Sequence, residues 1–247
     1  MTSFFNRASR ALATLALLVP AAAGAQEANV ALVHRLLLDQ QAVLTRANQP
    51  TVATIGQRLN NGDLVTTSAN TRAAIRFTDD GSLIRLNPNS MLTVRTEGNR
   101  EALTKTLELQ FGELWARVTE QRGTFQVQTP SGVAAVKGTE FVVRVDAQGN
   151  TTVLTLDGAV DFFNGAGTVE VSAGNQSQAA GQNALAQVSD IEDEDIEALG
   201  DLIEDEADDE IIRLEIPVQN ADGVAQTLII ELPRSEAEAI LNPGGGR

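Results

Sequence analysis

The side chains able to carry out chemistry are few in this sequence. Its 247 residues include one histidine, His34, and no cysteine or tyrosine. A multi-histidine metal site and a thiol nucleophile are therefore excluded, and no Gly-x-Ser-x-Gly turn accompanies His34 for a serine-based triad. We therefore predict that the protein is not an enzyme, that it holds no cofactor or metal ion, and that His34 is structural or solvent-facing.

One segment, Val136-Lys137-Gly138-Thr139, has the residue types of a phosphate site. A phosphate loop, however, has its lysine after the glycine, an earlier glycine at a fixed spacing, and a helix afterwards. Here Lys137 precedes Gly138, and strand-like residues lie on both sides. The segment therefore predicts a bend or bulge that only glycine accommodates, with Thr139 hydrogen-bonding locally.

The densest cluster of charge is the segment 190–210, which holds 13 acidic residues among 21. The alternating ligands, central glycine and terminal glutamate of an EF-hand loop are absent, so a weak calcium site stays only an alternative. Ile196, Leu199 and Ile203 recur at helical spacing. We predict a solvated, amphipathic acidic helix here.

The N-terminus has the layout of a secretory signal peptide. Arg7 and Arg10 supply the positive region, residues 11–19 a short apolar stretch, and Ala23-Gly24-Ala25 a small-residue cleavage site. The apolar stretch is shorter than the ~20 residues of a membrane span. We predict export to the periplasm or beyond, and loss of two arginines takes the formal net charge from -15 to -17. So acidic a chain disfavours nucleic acid as a partner.

Apolar and polar residues alternate with period two through residues 107–174. Phe141, Val143 and Val145 share one side, for example, and Arg144 lies on the other. This alternation, interrupted by turns that contain glycine or proline, is typical of half-buried strands. It predicts an all-β domain of about ten short strands, wound as a two-layer twisted meander of the sandwich or solenoid kind.

The order of short motifs in this stretch resembles the FecR domain family, a periplasmic domain type. The matching motifs are Gly62-Asp63, Asp80-Gly81-Ser82, Leu86-Asn87-Pro88-Asn89-Ser90, Gly112-Glu113, the segment 125–130, the segment 136–141, Asp157-Gly158-Ala159-Val160 and Ala173-Gly174-Asn175. The resemblance covers roughly residues 56–174. It implies that Gly138, Thr139, Phe141 and Gly158 belong to structural turns of the family.

The resemblance implies a role in envelope signalling. Family regulators carry a cytoplasmic anti-sigma segment and a membrane span before this domain, whereas a signal peptide is predicted in that place here. We therefore expect a stand-alone periplasmic FecR-domain protein, without the anti-sigma segment or transmembrane helix, that contacts a protein partner in the envelope. Strand addition at an exposed sheet edge is the most economical binding mode. The alternative is a structural or glycan-binding envelope protein, which the aromatic content of 4% disfavours.

Trp115 is the single tryptophan and the one candidate for a partner contact. It alternates with Leu114 and Ala116, which suggests that it lies on the less buried face of its strand. Two interpretations stay open: an aromatic residue that packs in the core or at an edge, and an exposed docking residue, since tryptophan is enriched at interface hot spots.

The chain divides into four predicted parts: a signal peptide at 1–25, the FecR-like all-β domain at 28–187, an acidic linker or helix at 188–210, and a C-terminal hairpin and tail at 211–247.

Residues 29–46 fit either strands or a helix, with strands favoured. The polar stretch from Thr96 to Lys105 predicts a wide loop. Two apolar runs on either side of Asn220-Ala221-Asp222-Gly223 predict a hairpin, which should add to a sheet edge of this domain or of a partner.

Overall fold

The computed structural model describes residues 30–38, 41–99, 102–120, 123–203, 211–219 and 225–233. The predicted signal peptide and the C-terminal tail lie outside these residues. The described part forms nineteen β-strands and one α-helix. They are β1 (Ala31–Leu38), β2 (Ala42–Arg46), β3 (Gln49–Val52), β4 (Arg58–Leu59), β5 (Asp63–Thr67), β6 (Thr71–Phe77), β7 (Leu83–Leu86), β8 (Met91–Asn99), β9 (Ala102–Arg117), β10 (Phe125–Thr129), β11 (Gly132–Val136), β12 (Glu140–Val145), β13 (Thr151–Asp157), β14 (Ala159–Asn164), β15 (Gly167–Ser172), β16 (Asn175–Ala179), β17 (Gln187–Asp190), α1 (Asp193–Ile203), β18 (Ile211–Gln219) and β19 (Ala225–Pro233).

Strand pairing divides β1 to β17 into two layers that share β9. Layer 1 has the order β4-β1-β6-β7-β9-β12-β13-β16-β17. Layer 2 has the order β3-β2-β5-β8-β9-β10-β11-β14-β15. All neighbours are antiparallel except β9 and β10, which are parallel. From β10 onwards, successive hairpins alternate between the layers, so the chain winds around a shared core.

Strand β9 passes from layer 2 to layer 1 near Gly112. Its earlier residues pair with β8 and β10, and its later residues pair with β7 and β12. Leu107 and Leu109 are buried before the crossing, and Leu114 and Ala116 after it. The core-facing side therefore switches from odd to even positions within one strand. Gly112 has a φ of 100°, a conformation that residues with a Cβ rarely adopt.

The core lies between the layers and is filled from both sides. Phe125 of layer 2 packs edge-to-face against Phe77 and Phe141 of layer 1, with ring centroids 6.0 and 6.5 Å away. One continuous cluster of buried apolar residues contains these rings and the core-facing residues of β9. The rings show directly that the two layers face each other.

The all-β prediction is confirmed, and the predicted strand count of about ten is wrong, since seventeen strands lie between Ala31 and Asp190. Residues 29–46, left open between strand and helix, contribute β1 and β2. Several strands are only two to five residues long and follow one another after very short turns. A prediction from the apolar–polar alternation counts two such neighbouring strands as one, because a short turn hardly interrupts the apolar pattern.

The wide loop predicted from Thr96 to Lys105 is also wrong. Strand β8 continues to Asn99, and β9 begins at Ala102 with Thr96 paired to Lys105. Lys105 occupies the core-facing side of β9, two positions before the buried Leu107, and is itself fully buried. A charged residue at a core position breaks the apolar alternation on which the prediction depended.

The acidic helix and the C-terminal hairpin are both present. Helix α1 lies at the predicted apolar spacing, although its Leu199 is fully buried and the helix is therefore not solvated all round. Strands β18 and β19 form a separate two-stranded sheet. Within the described residues the hairpin pairs with no strand of the large sheet, and its addition to a sheet edge, of this domain or of a partner, stays a prediction. The four predicted domain boundaries also stay predictions.

We predict that Gly112→Ala destabilises the fold by about 3 kcal/mol or more, through left-handed backbone strain together with steric overlap. A Cβ at this position would lie 2.3 Å from the Ser90 hydroxyl oxygen and 2.5 Å from the Ser90 Cα. Gly62→Ala is the matched control, because Gly62 has a φ of 87° and no atom within 4 Å of the added Cβ. It should cost about 1 kcal/mol. Urea unfolding measures both, and equal losses would contradict the crossing at Gly112.

Candidate protein-interaction surface

Six of the points at which the chain crosses between the layers lie at motifs that the sequence analysis identified. They are Asn60 to Gly62 between β4 and β5, Asn87 to Ser90 between β7 and β8, Gly112 within β9, Lys137 to Thr139 between β11 and β12, Gly158 between β13 and β14, and Ala173 to Gly174 between β15 and β16. These residues lie where strands end or change layer.

Two of these crossings, at Gly138 and Gly158, lie against each other. A Cβ on Gly158 would lie 3.0 Å from the Gly138 carbonyl oxygen and 3.1 Å from the Thr139 hydroxyl. Thr139 is buried and donates a 3.1 Å hydrogen bond to the Ala159 carbonyl. Phe141, two residues later, is buried in the core. The motif residues Gly138, Thr139 and Gly158 thus lie close together at two neighbouring crossings, and Phe141 follows in the core.

Trp115 lies on the outer face of layer 1, the face turned away from layer 2, and α1 covers it. It is fully buried in a second apolar cluster that includes Val142, Leu154 and Leu199 of the helix. Its indole Nε1 donates a 3.1 Å hydrogen bond to Glu140 Oε1. The role of Trp115 as a partner contact stays a prediction, and it requires that α1 first move away.

Arginine side chains surround Trp115. The guanidinium carbons of Arg85 and Arg117 lie 4.5 and 5.2 Å from its ring centroid, within the range of cation–π attraction. Arg117 also forms a 3.1 Å ion pair with Glu140. The indole of Trp115 therefore contacts two guanidinium groups and a carboxylate, although it belongs to an apolar cluster.

Arg144 connects the helix to the sheet. It pairs with Glu113 of β9 and, at 2.7 Å, with Asp195 of α1. Burial alone would lower the pKa of Arg144, but the carboxylates of Glu113 and Asp195 outweigh burial and raise the pKa above its ordinary value. The guanidinium therefore stays charged at any pH at which the protein is folded, and it provides a permanent positive contact for α1.

A separate buried ion cluster lies between the layers near one end of the core. Lys105 Nζ is 2.8 Å from Asp79 Oδ2 and 2.6 Å from Asp80 Oδ2, and it lies 4.7 Å from the Phe77 ring centroid. Asp80 also accepts hydrogen bonds from the Ser82 amide and hydroxyl. The sequence analysis did not predict this cluster, although Asp80-Gly81-Ser82 is one of the motifs that it identified. Its charges are satisfied within the protein, so its role is structural.

The sheet also has exposed edges. In the described part, β15 pairs with β14 and with no other strand. The Ala173 amide donates to the Gly158 carbonyl, so these two opposite residues form a hydrogen-bonded pair. Hydrogen-bonded and non-hydrogen-bonded pairs alternate along two antiparallel strands. The backbone groups of Thr168, Glu170 and Ser172 belong to non-hydrogen-bonded pairs and therefore point away from β14. They form a short row of donors and acceptors at the edge.

No group of three or more histidine and acidic side chains in the described residues has the arrangement of a metal site. In the same described ranges, no helix has the length and apolar character that crossing a membrane requires.

We predict that Lys105→Met lowers the free energy of unfolding by about 3–5 kcal/mol, because the Asp79 and Asp80 carboxylates then lose their buried counter-charge. Lys137→Met is the matched control: its ammonium is exposed and 3.9 Å from an equally exposed Glu120. That substitution should change stability by no more than about 0.5 kcal/mol. Chemical denaturation compares the two, and a Lys105 variant as stable as the Lys137 variant would contradict the assigned contacts.

The family model described as FecR protein matches residues 63–161. Two similar crystal structures are of candidate anti-sigma factors from Parabacteroides distasonis, at 17% and 14% identity and a TM-score of 0.48 each. The alignments cover 73% and 74% of this chain and 88% and 92% of those chains. No curated protein matches significantly. The match at residues 63–161 includes four of the layer crossings described above, and this part of the chain is similar to the FecR protein family.

Proposed function

We propose that the protein is an exported, non-catalytic FecR-domain module that acts in envelope signalling through contact with a protein partner. The FecR match supports the signalling class. The signal-peptide layout of residues 1–25 supports export to the periplasm. The scarcity of reactive side chains supports a binding role over a catalytic one.

The exposed edge of β15 is the observation that carries this proposal. An edge strand offers unpaired amide and carbonyl groups on which an extended segment of another protein can add a strand. The outward groups of Thr168, Glu170 and Ser172 would supply the main-chain hydrogen bonds. Thr168 and Glu170 are also exposed, so an incoming strand meets no covering side chain from this face.

A contrast lies at the other end of layer 2, where β3 is also an edge. It contains Pro50, which has no amide hydrogen to donate, and all four of its residues are exposed. A proline on an edge strand protects that edge from pairing. The two ends of layer 2 therefore differ, and β15 is the end that remains competent for strand addition.

We predict that Glu170→Pro abolishes capture of the partner from an envelope extract while leaving the unfolding midpoint nearly unchanged. The substitution removes an outward amide and no ladder hydrogen bond, and proline is tolerated at such edge positions. Glu170→Ala is the matched control, since it removes the same side chain and keeps the amide. It should capture the partner as the wild type does.

Capture is read by quantitative mass spectrometry of the co-purified proteins. Equal recovery of the same partner with Glu170→Pro would show that β15 is not the docking edge. Retention of the wild-type protein on peptidoglycan or glycan beads, with no protein partner recovered, would instead favour the structural or glycan-binding alternative.

A further inference from the structure

The described winding ends in layer 1 and leaves a place open beside β15 in layer 2. From β10 onwards two successive strands lie in one layer and the next two in the other: β10 and β11 in layer 2, β12 and β13 in layer 1, β14 and β15 in layer 2, and β16 and β17 in layer 1. After β17 the chain enters α1 on the outer face of layer 1. Another turn of the winding would put a strand beside β15, and no strand in the described part of the chain takes that place.

Layer 1 extends past β15. The Thr155 hydroxyl on β13 donates a 2.9 Å hydrogen bond to the Val171 carbonyl, so β15 lies across from β13. Layer 1 continues beyond β13 with β16 and β17, and each strand adds about 4.8 Å to its width. The inner side of β17 therefore faces the open place beside β15.

Apolar side chains border this place and remain exposed. Val188 on β17 is opposite Ser177, and Ser177 is opposite the core residue Val153, so Val188 points to the inner side of layer 1. Val188 is nevertheless 45% exposed. Leu185, just before β17, is 58% exposed and lies against the start of β15, because a Cβ on Gly167 would be 3.2 Å from the Leu185 Cδ1. An added strand would cover this apolar border.

The outer side of the same edge is negatively charged. Asp161 on β14 and Glu170 on β15 are directly opposite each other, and both are exposed. Like charges at such a pair repel each other. The sequences of β10, β11, β14 and β15 contain no lysine or arginine that could offset them. A cation on an added strand, opposite Glu170, would supply a counter-charge.

We infer that the place beside β15 takes an extended segment of a partner protein in which apolar side chains alternate with lysine or arginine. The apolar side chains pack on Val169, the partly buried inner residue of β15, and on Val188. The basic side chains lie on the outer side, beside Glu170 and Asp161. The inference rests on the proposed function, because it gives the chemistry of the segment that adds to the β15 edge.

Charge favours this occupant over strands of the protein itself. The strands of the C-terminal hairpin, β18 and β19, contain one arginine and two glutamates, so the hairpin would bring net negative charge to the edge. A second copy of β15 would bring another Glu170 and no cation. Neither offsets the acidic pair of Asp161 and Glu170, whereas a basic segment of another protein does.

Binding of two labelled probe peptides, followed by fluorescence anisotropy, tests the charge of the segment. One peptide has the sequence Gly-Thr-Val-Lys-Val-Lys-Val-Thr-Gly, and the other has glutamate in place of both lysines. The wild-type protein should prefer the lysine peptide, and Glu170→Lys should reduce that preference at least about fivefold. Glu170→Ala leaves the Asp161 carboxylate at the edge, so the reversed charge is the decisive change. The matched control is Glu97→Lys, which changes the net charge equally at an exposed position on β8, several strands away, and should keep the preference.

Val188→Thr tests the apolar side of the segment. It should weaken binding of the lysine peptide at least about threefold, because an apolar contact is lost while the β-branched shape is kept. Val52→Thr is the matched control, since Val52 lies on β3 at the other end of layer 2 and is 68% exposed. That variant should bind the peptide as the wild type does.

Failure of the lysine peptide to bind, or an equal preference in wild type and Glu170→Lys, would overturn the inference. Hydrogen exchange of the Glu170 amide identifies the other occupants. Protection in the protein alone would assign the place to its own hairpin, protection that rises with protein concentration would assign it to a second copy, and either result overturns the inference. Envelope capture that is lost with Glu170→Pro but unchanged with Glu170→Lys and Val188→Thr would leave the proposed function intact and overturn only the segment chemistry.

Discussion

The structure depends on one constraint: the chain must pass repeatedly between two facing layers without leaving a gap in the core. At two of these passages the chain changes direction where neighbouring atoms already fill the space. At Gly112 even one added carbon would overlap Ser90, and at Gly158 it would press on the Gly138 carbonyl. The motif residues Gly112 and Gly158 are therefore required by the way the chain winds between the layers.

Because the crossings serve the fold, the surfaces available for binding are the outer ones. The crossings at Gly112 and Gly158 are closely packed, so they can change little without loss of stability. The edge of β15 and the outer face of layer 1 are not constrained by the packing of a layer crossing. One offers backbone groups for a strand, and the other binds α1 through Arg144 and an apolar cluster around Trp115. Helix α1, which lies within the acidic segment 190–210, covers Trp115 on that face.

Sequence alone predicted the parts of the fold in which each residue follows its local pattern. Period-two alternation identified the β character, and the spacing of Ile196, Leu199 and Ile203 identified α1. It failed where a tertiary contact overrides the pattern. Lys105 lies in the core because Asp79 and Asp80, far away in sequence, neutralise it. The position of the helix over Trp115 could not be predicted, because it depends on strand order, which alternation does not specify.

The most direct test of the shared winding is native-state hydrogen exchange along β9 with increasing denaturant. If the two layers form one cooperative unit, the amides of Leu107 in layer 2 and Leu114 in layer 1 should exchange with the same free energy, that of global unfolding. A difference of about 2 kcal/mol or more between them would show that the layers open separately, and it would contradict the account.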